Sequence, residues 1–192
     1  MRRKEKPPSV GGMRPGPDEV LHFSEDPTIR VFHPHVAPTS PDPRAYVWAV
    51  DSGHCPDYWF PRQCPRAMAW FGPATTPADA ERILGPGTAR VHAVEYSRLP
   101  SLLSTQVYAY RLPRSQFRPY SAQDSHAHVS EETVYPLGPA VPIGDLLALH
   151  EAAGIQLRLV DNLWPWWYAV VESTVEFSGI RLRNATPAGG RS

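Results

Sequence analysis

The sequence has few lysines and no long apolar run. Only two of its 19 basic residues are lysines, and 19 acidic residues bring the formal net charge to zero. A neutral chain lacks the basic surface that binds nucleic acids or anionic membranes. No run of about 18 apolar residues indicates a transmembrane helix, and the basic N-terminus lacks the apolar centre of a signal peptide. We therefore expect no nucleic-acid partner, no membrane association and a cytoplasmic location.

Cysteine is scarce as well, with only Cys55 and Cys64 in the chain. In a cytoplasmic protein, two cysteines are expected to be free thiols. Cys55 follows His54, and an imidazolium close to a thiol lowers its pKa. Adjacent residues of a strand point to opposite faces, however, and the chain has neither a Gly-x-Ser-x-Gly elbow nor a cysteine-protease motif. We interpret both cysteines as buried structural residues.

The common metal and nucleotide motifs are missing. Two His-x-His pairs, His33 with His35 and His126 with His128, could chelate zinc if each pair lay on a strand. No Cys-x-x-Cys or His-Glu-x-x-His motif accompanies them, so we predict surface histidines and no metal site. The absence of Gly-x-Gly-x-x-Gly and of a P-loop argues against a nucleotide fold of the Rossmann type.

Proline, in contrast, is abundant. The 23 prolines are roughly twice the usual share of about 5% and predict short helices and strands. The pattern indicates eight or nine short strands mixed irregularly with three or four short helices. It predicts a single α+β domain over 19–184 with a curved, mixed, mostly antiparallel sheet. We expect 1–18 to be a disordered leader, with Met13 as an alternative start, and 185–192 to be a disordered tail.

Helices and strands have individual signals. Thr76 and Pro77 mark the start of a helix that should end before Gly85. The clearest helix is predicted over 142–153, with Gly154 as its C-cap, and another over 164–172. A final strand over 179–183 would place Arg181 and Arg183 on one face, where they could bind an anion or guard a solvated edge.

Reactive and aromatic side chains concentrate in 46–66. An apolar strand over 46–50 ends at Asp51 and opens into a segment rich in aromatic residues and prolines. Asp51, Tyr58, Arg62 and Arg66 lie where the strand ends and a cleft could open. We predict that they form the wall of a ligand-binding site, together with Ser24 after the first strand.

Three motifs resemble the His/Tyr/Glu arrangement of the ADP-ribosyltransferase-like fold. They are His22 on the first strand, Tyr58 after a second strand, and Glu131-Glu132 on a late strand. In that fold, the histidine holds the ribose of NAD, the tyrosine stacks on nicotinamide and the glutamate stabilises an oxocarbenium-like centre. The resemblance implies that His22 anchors ribose, that Tyr58 or Trp59 stacks, and that Glu132 or Glu131 is the acid. The chain departs from the pattern because it has no Glu-x-Glu or Gln-x-Glu pair.

The alternative is that His22 is a hydrogen-bonded core histidine and that Glu131 and Glu132 form a solvated turn. As a whole, 20–184 is similar to a bacterial family of small uncharacterised proteins. The resemblance rests on 22–27, 47–49, 58–66, 144–147, 161–165 and 180–184. It implies no known activity.

The sequence thus leaves two hypotheses open, and leaves open whether the chain is an enzyme. In the first, a small-molecule-binding domain of ADP-ribosyltransferase-like shape binds NAD or a related nucleotide, with His22 and Glu132 as catalytic residues. Its ligand-binding residues would be Ser24, Asp51, Tyr58, Arg62 and Arg66. In the second, the protein is a non-enzymatic interaction module that uses the aromatic helix 164–168 and surface arginines.

Overall fold

A computed structural model describes residues 13–36, 42–121 and 127–189. The chain divides into two compact units, and each is discontinuous in sequence. The first unit comprises 1–59 and 106–144, and the second comprises 60–105 and 145–192. The boundaries 19–184 of a single domain stay a prediction. Most of the predicted leader, 1–12, and the end of the predicted tail, 190–192, lie outside the described residues.

The described residues contain ten strands and four helices. The strands are β1 (Glu19–Ser24), β2 (Val47–Val50), β3 (Arg66–Trp70), β4 (Arg90–Glu95), β5 (Tyr108–Pro113), β6 (Arg118–Pro119), β7 (Ala127–Ser130), β8 (Val141–Pro142), β9 (Gln156–Val160) and β10 (Glu176–Ile180). The helices are α1 (Pro77–Asp79), α2 (Leu99–Ser104), α3 (Leu146–Ala152) and α4 (Leu163–Val171). Across the described residues, no helix combines the length and apolarity needed to span a bilayer.

The first unit is built on an antiparallel sheet of six strands in the order β6-β7-β2-β1-β5-β8. In the pairing of β1 with β5, Val20 lies opposite Leu112 and His22 lies opposite Tyr110. Residues that face each other across two strands share one side of the sheet. This side carries the core cluster Val20, Phe32, Val47, Ala49, Tyr110, Leu112 and Val134.

The second unit has a sheet of four strands in the order β10-β3-β4-β9, in which only the β4–β9 pair is parallel. Helix α4 packs on one side of this sheet, where Leu163 contacts Ala67 and Ala93. On the other side, Met68 lies opposite His92, and His92 contacts His150 of α3. Alternating residues of β3 and β4 therefore serve two different helices.

Glu95, at the end of β4, organises a buried polar contact in the second unit. Its side chain is completely buried. Its carboxylate accepts hydrogen bonds from the backbone nitrogens of Leu163 and Thr186 and from the Thr186 hydroxyl, at 3.0–3.3 Å. Buried carboxylates persist when such donors replace water. Glu95 thus ties β4 to the start of α4 and to the C-terminal segment.

The α+β class and the mixed, mostly antiparallel pairing are confirmed, but the strands form two sheets instead of one. The cap predicted at Thr76 is also confirmed, since its side chain accepts from the Asp79 nitrogen. After the single turn of α1, the chain continues as a π-helix over Ala80–Leu84.

Two predicted element boundaries are wrong. The helix predicted over 142–153 begins only at Leu146, because the Asp145 side chain caps Leu147 and Ala148 while Pro142 pairs in β8. The final strand is Glu176–Ile180 rather than 179–183. It ends where Arg181 adopts a left-handed conformation, with φ of 57°. Arg181 and Arg183 therefore share no strand face.

Candidate functional site

The three motifs of the predicted site lie on or after neighbouring strands of the first unit. His22 belongs to β1, Tyr58 follows β2, and Glu131 and Glu132 follow β7. The sheet order places β7, β2 and β1 side by side. No local sequence signal reports this adjacency, because β2 and β7 are separated by more than 75 residues. The three strands therefore lie side by side. Whether the motifs form one site depends on where their side chains lie.

The imidazole of His22 has a fixed orientation. Its Nδ1 lies 2.8 Å from the carbonyl oxygen of Trp48 on β2, which can only accept a hydrogen bond. Nδ1 therefore donates, and the carbonyl selects the tautomer or the imidazolium that carries this proton. The ring lies against Phe32, with 4.8 Å between centroids. His22 is thus hydrogen-bonded within the unit, as in the interpretation that it is a core histidine. The same bond fixes the ring, as a contact with a ligand would require.

The segment after β1 is held by its own polar groups. The hydroxyl of buried Ser24 accepts from the Asp26 nitrogen at 3.1 Å, and the Asp26 carboxylate accepts from the nitrogen and hydroxyl of Thr28. These bonds to Thr28 lower the pKa of Asp26. The Tyr110 hydroxyl donates to the Asp26 carbonyl and accepts from the Ile29 nitrogen. Ser24 therefore shapes the turn, and its role in ligand binding stays a prediction.

Asp51 and His54 form a contact in the turn after β2. The Asp51 carboxylate accepts from the His54 backbone nitrogen at 2.9 Å and from its Nδ1 at 3.0 Å. Burial raises the pKa of Asp51, but the hydrogen bonds and the charge of His54 together lower it by a larger amount. The pKa is therefore below its ordinary value. Asp51 is consequently a carboxylate at neutral pH and orients the His54 ring. This contact was not predicted, because the sequence places Cys55, and not Asp51, next to His54.

The two cysteines are buried free thiols, as predicted. The Cys55 thiol donates to the Asp51 carbonyl oxygen at 2.9 Å. Burial raises the pKa of Cys55 far above its ordinary value and raises the pKa of Cys64 to about 11. Neither side chain is a thiolate at neutral pH, which argues against nucleophilic catalysis by cysteine.

Tyr58 packs on β1 through Phe23. Its ring is stacked on that of Phe23, with centroids 6.4 Å apart and an interplanar angle of 5°. Phe23 and His22 are consecutive residues of β1, so their side chains leave the strand on opposite faces. The Tyr58 ring contacts Phe23 whereas the His22 ring contacts Phe32.

The two glutamates after β7 differ in their contacts. Both are exposed. Glu131 forms an ion pair with Arg118 of β6 at 2.8 Å. The backbone nitrogen of Glu132 donates to the hydroxyl of buried Ser130 at 3.2 Å, which fixes the turn in which Glu132 lies. Of the two residues named as the acid, Glu131 is thus already paired with a guanidinium.

Arg62 and Arg66 belong to the second unit. Arg62 is exposed, whereas Arg66 is only 3% exposed. The Arg66 guanidinium donates to the Cys64 carbonyl oxygen at 3.0 Å and lies 5.1 Å from the centre of the Phe60 ring. Arg66 is therefore embedded in its own unit, and the ligand-binding role of both arginines stays a prediction.

An aromatic cluster at the β6-β7-β2 edge was not predicted. Tyr46 is buried, and its ring lies 5.7 Å from that of Trp48 and 6.1 Å from that of Tyr120. The guanidinium groups of Arg44 and Arg118 lie 5.4 and 5.7 Å from the centre of the Tyr46 ring. Alternation places Tyr46 and Trp48 on one face of β2, but the contribution of Tyr120 and Arg118 depends on the pairing of β6 with β7.

The predicted histidine pairs and the predicted aromatic helix lie outside these motifs. No group of three or more metal-ligating side chains occurs among the described residues. His33 and His35 are exposed as predicted, whereas the prediction of a surface histidine is wrong for His128, which is 3% exposed on β7, and His126 lies outside the described residues. In α4, Trp166 and Trp167 pack against the core and the Trp164 indole nitrogen donates to the Thr186 carbonyl oxygen. Tyr168 of the same helix is 51% exposed.

A family model of unknown function, DUF6886, matches residues 21–185. The chain belongs to this family. No curated protein and no solved structure gives a significant match to the chain. The function of the family is unknown, so a function for this member has to be argued from its own geometry.

Proposed function

We propose that the first unit binds NAD or a related nucleotide on a sheet of ADP-ribosyltransferase-like design. The observation that carries this proposal is the adjacency of β7, β2 and β1, which bear or precede the glutamate, tyrosine and histidine motifs. Cleavage of a glycosidic bond at nicotinamide requires an anchored sugar, a stacked leaving group and a nearby carboxylate. Neighbouring strands are the simplest way to supply all three from distant parts of a chain.

The fixed ring of His22 supports the role of sugar anchor. Its Nδ1 is bound to the Trp48 carbonyl oxygen, and β1 is an inner strand with partners on both sides. A side chain on an inner strand, with its ring held by a hydrogen bond, loses little further entropy when a ligand binds. We assign ribose contact to His22 for this reason.

Aromatic rings near the same strands support the binding of a flat, charged ligand. Phe23 and Tyr58 are stacked on β1, and Trp48 of the adjacent β2 contacts Tyr120 at 4.9 Å. Aromatic rings provide stacking surfaces for nicotinamide and adenine, and Arg118 at the same edge supplies a guanidinium that suits phosphate geometry. Tyr58 lies with Phe23 on the face of β1 opposite to the His22 side chain, so we do not assign it to the nicotinamide ring of the ligand that His22 binds.

Glu132 is the acid in this proposal, and Glu131 is its natural control. The two carboxylates are adjacent in sequence, yet only Glu131 is paired with Arg118 in the described contacts. Glu132→Gln should abolish nicotinamide release from NAD while leaving NAD affinity within about threefold, since the loss of one exposed carboxylate changes binding little. Glu131→Gln should retain the release. Equal activity in both variants would remove Glu132 from the mechanism.

Binding itself is tested by calorimetry and thermal unfolding with NAD and ADP-ribose. A ligand present at 100 times its dissociation constant should stabilise the protein by about 2.7 kcal/mol. His22→Ala should lose this stabilisation, whereas His33→Ala, at an exposed position of the same unit, should keep it. Absence of heat and of a thermal shift with both ligands would overturn the proposal.

The alternative, an interaction module centred on α4, has weaker support. Its specific observation is the exposure of Tyr168 and Val171, which are 51% and 45% exposed. Trp166 and Trp167 of the same helix are partly buried and pack against the core, which leaves less of each side chain for a partner. We therefore favour nucleotide binding.

A further inference from the structure

Two buried histidines of the second unit are joined by a hydrogen bond. His92 of β4 and His150 of α3 are 0% and 1% exposed. Nδ1 of His92 lies 3.1 Å from Nε2 of His150, and the ring centroids are 5.1 Å apart. The two residues are 58 positions apart in sequence. The bond therefore connects a strand of the sheet with the helix that packs on it.

The neighbours of this pair fix the ring protons. Arg90 Nε can only donate, and it lies 3.0 Å from His92 Nε2, which must accept. His92 Nδ1 then carries the ring proton and donates to His150 Nε2. His150 Nδ1 donates in turn to the Leu146 carbonyl oxygen at 2.7 Å. Both imidazoles are consequently neutral, with the proton on Nδ1.

An additional proton has no favourable position in this arrangement. On His92 Nε2 it would face the N–H of Arg90, and on His150 Nε2 it would face the N–H of His92. Either position replaces a hydrogen bond by two opposed donors and puts a positive charge into a buried site. Protonation of the pair is therefore incompatible with the contact between α3 and β4.

The charged groups around the pair strengthen this effect. Arg90 donates directly to His92, and Arg66 of β3 lies over the Phe60 ring, whose centre is 4.9 Å from that of His150. From β10, Glu176 is bound to the indole nitrogen of Trp70 at 2.7 Å, and Arg90 lies over that indole.

Other charged side chains on and around α3 are exposed or have other partners. On α3 itself, Glu151 is exposed and Asp145 caps the first turn. Arg158 of β9 donates to the carbonyl oxygens of Ile83 and Leu84. Helix α2, which also packs on α3, carries no charged side chain. Arg90 is thus a charged group bonded directly to the pair, and its positive charge opposes an imidazolium.

We propose that His92 and His150 form a proton-sensitive latch, which holds α3 on β4 at neutral pH and releases it in mild acid. The unfolded chain takes up a proton on each histidine near the ordinary value of about 6.5, whereas the packed pair takes up none. Acid therefore favours the state in which α3 has left the sheet. The free energy of unfolding should therefore decrease as the pH falls below about 6.5.

The test is urea unfolding of the full chain between pH 7 and pH 5. Each latch histidine should raise the unfolding constant by about 25-fold over this range, and both together by about 600-fold. The double variant His92→Leu/His150→Phe should lack this part of the pH dependence. The control variant His33→Ala/His35→Ala, whose histidines lie in the first unit, should keep it. Equal pH dependence in the wild type and the double variant would overturn the proposal.

Hydrogen exchange provides a readout that does not require the variant to fold. In the wild type, protection factors of the α3 amides should fall between pH 7 and pH 5.5 by at least about tenfold more than those of α4, which lies on the other side of the sheet. Protection that changes equally in α3 and α4 would contradict a latch specific to α3.

Discussion

The Tyr110 hydroxyl donates a hydrogen bond to the backbone carbonyl of Asp26, at 2.7 Å, and accepts one from the nitrogen of Ile29 at 3.0 Å. One side chain of β5 thus forms hydrogen bonds with a backbone carbonyl and a backbone nitrogen of the turn that follows β1. Tyr110 is completely buried, so water does not substitute for it.

Tyr110→Phe should destabilise the protein by about 0.5–1.5 kcal/mol, because the Asp26 carbonyl and the partly buried Ile29 nitrogen lose their partner while the ring remains. Urea unfolding measures this difference. Tyr135→Phe removes a hydroxyl from a residue that is 67% exposed and should change the free energy of unfolding by less than about 0.5 kcal/mol. If the two variants were equally stable, the contact with Asp26 and Ile29 would contribute nothing.

Glu95→Ala should destabilise the protein by about 2–4 kcal/mol, because the nitrogens of Leu163 and Thr186 would become buried donors without an acceptor. Chemical unfolding gives the magnitude, and hydrogen exchange should show loss of protection at Thr186. Glu172→Ala, at an exposed position of the same unit, serves as the control. Unchanged protection at Thr186 would contradict the structure.

The thiols of the folded protein should react slowly. With the pKa of Cys64 raised to about 11 and that of Cys55 raised further, both are protonated at about pH 8. Reaction with a disulfide reagent at this pH should be at least about 100-fold slower in the native protein than in about 8 M urea. A rapid reaction of either thiol under native conditions would show that burial does not protect it.

Asp51 should contribute to acid sensitivity below about pH 4. Its pKa is lower in the folded protein than in the unfolded chain, because the His54 hydrogen bonds outweigh the effect of burial. Its stabilisation is thus present above the ordinary value of about 3.9 and is lost as the pH falls through the lowered one. Asp51→Asn should flatten this part of the stability profile, measured by urea unfolding between about pH 2 and pH 5.

Asp161→Asn is the matched control, since Asp161 is exposed and belongs to the second unit. It should leave the slope of the acid profile unchanged. A wild-type slope in Asp51→Asn would mean that the contact with His54 has no energetic consequence.

Sequence patterns predicted the features that depend on near neighbours. The Thr76 cap and the end of α3 just before Gly154, whose φ is 68°, both follow from chemistry within one turn. The start of α3 was misplaced because Pro142 is compatible with both the first turn of a helix and a strand edge. Asp145, three residues later, supplies the cap that decides the start.

Contacts between distant segments could not be predicted in the same way. Val91 pairs with Gln156 across 65 positions, and this parallel pairing adds β9 to the edge of the second sheet. The tautomers of His92 and His150 depend on Arg90 and on the Leu146 carbonyl, which meet only after the chain has folded. For the predicted site, sequence identified the motif strands but not the stacking of Tyr58 on Phe23.

The alternation of the two units along the chain has a consequence for protein synthesis. The first unit needs 106–144 to complete its sheet, and the second unit needs 145–192 for α3, β9, α4 and β10. During translation, the segment 60–105 is therefore synthesised before the first unit is complete. Until 145–192 follows, β3 lacks β10 and β4 lacks β9. Segments that emerge early and pair late depend longest on chaperones. Among the described strands this interval is longest for β3, whose Trp70 pairs with Glu176 of β10, the last strand described.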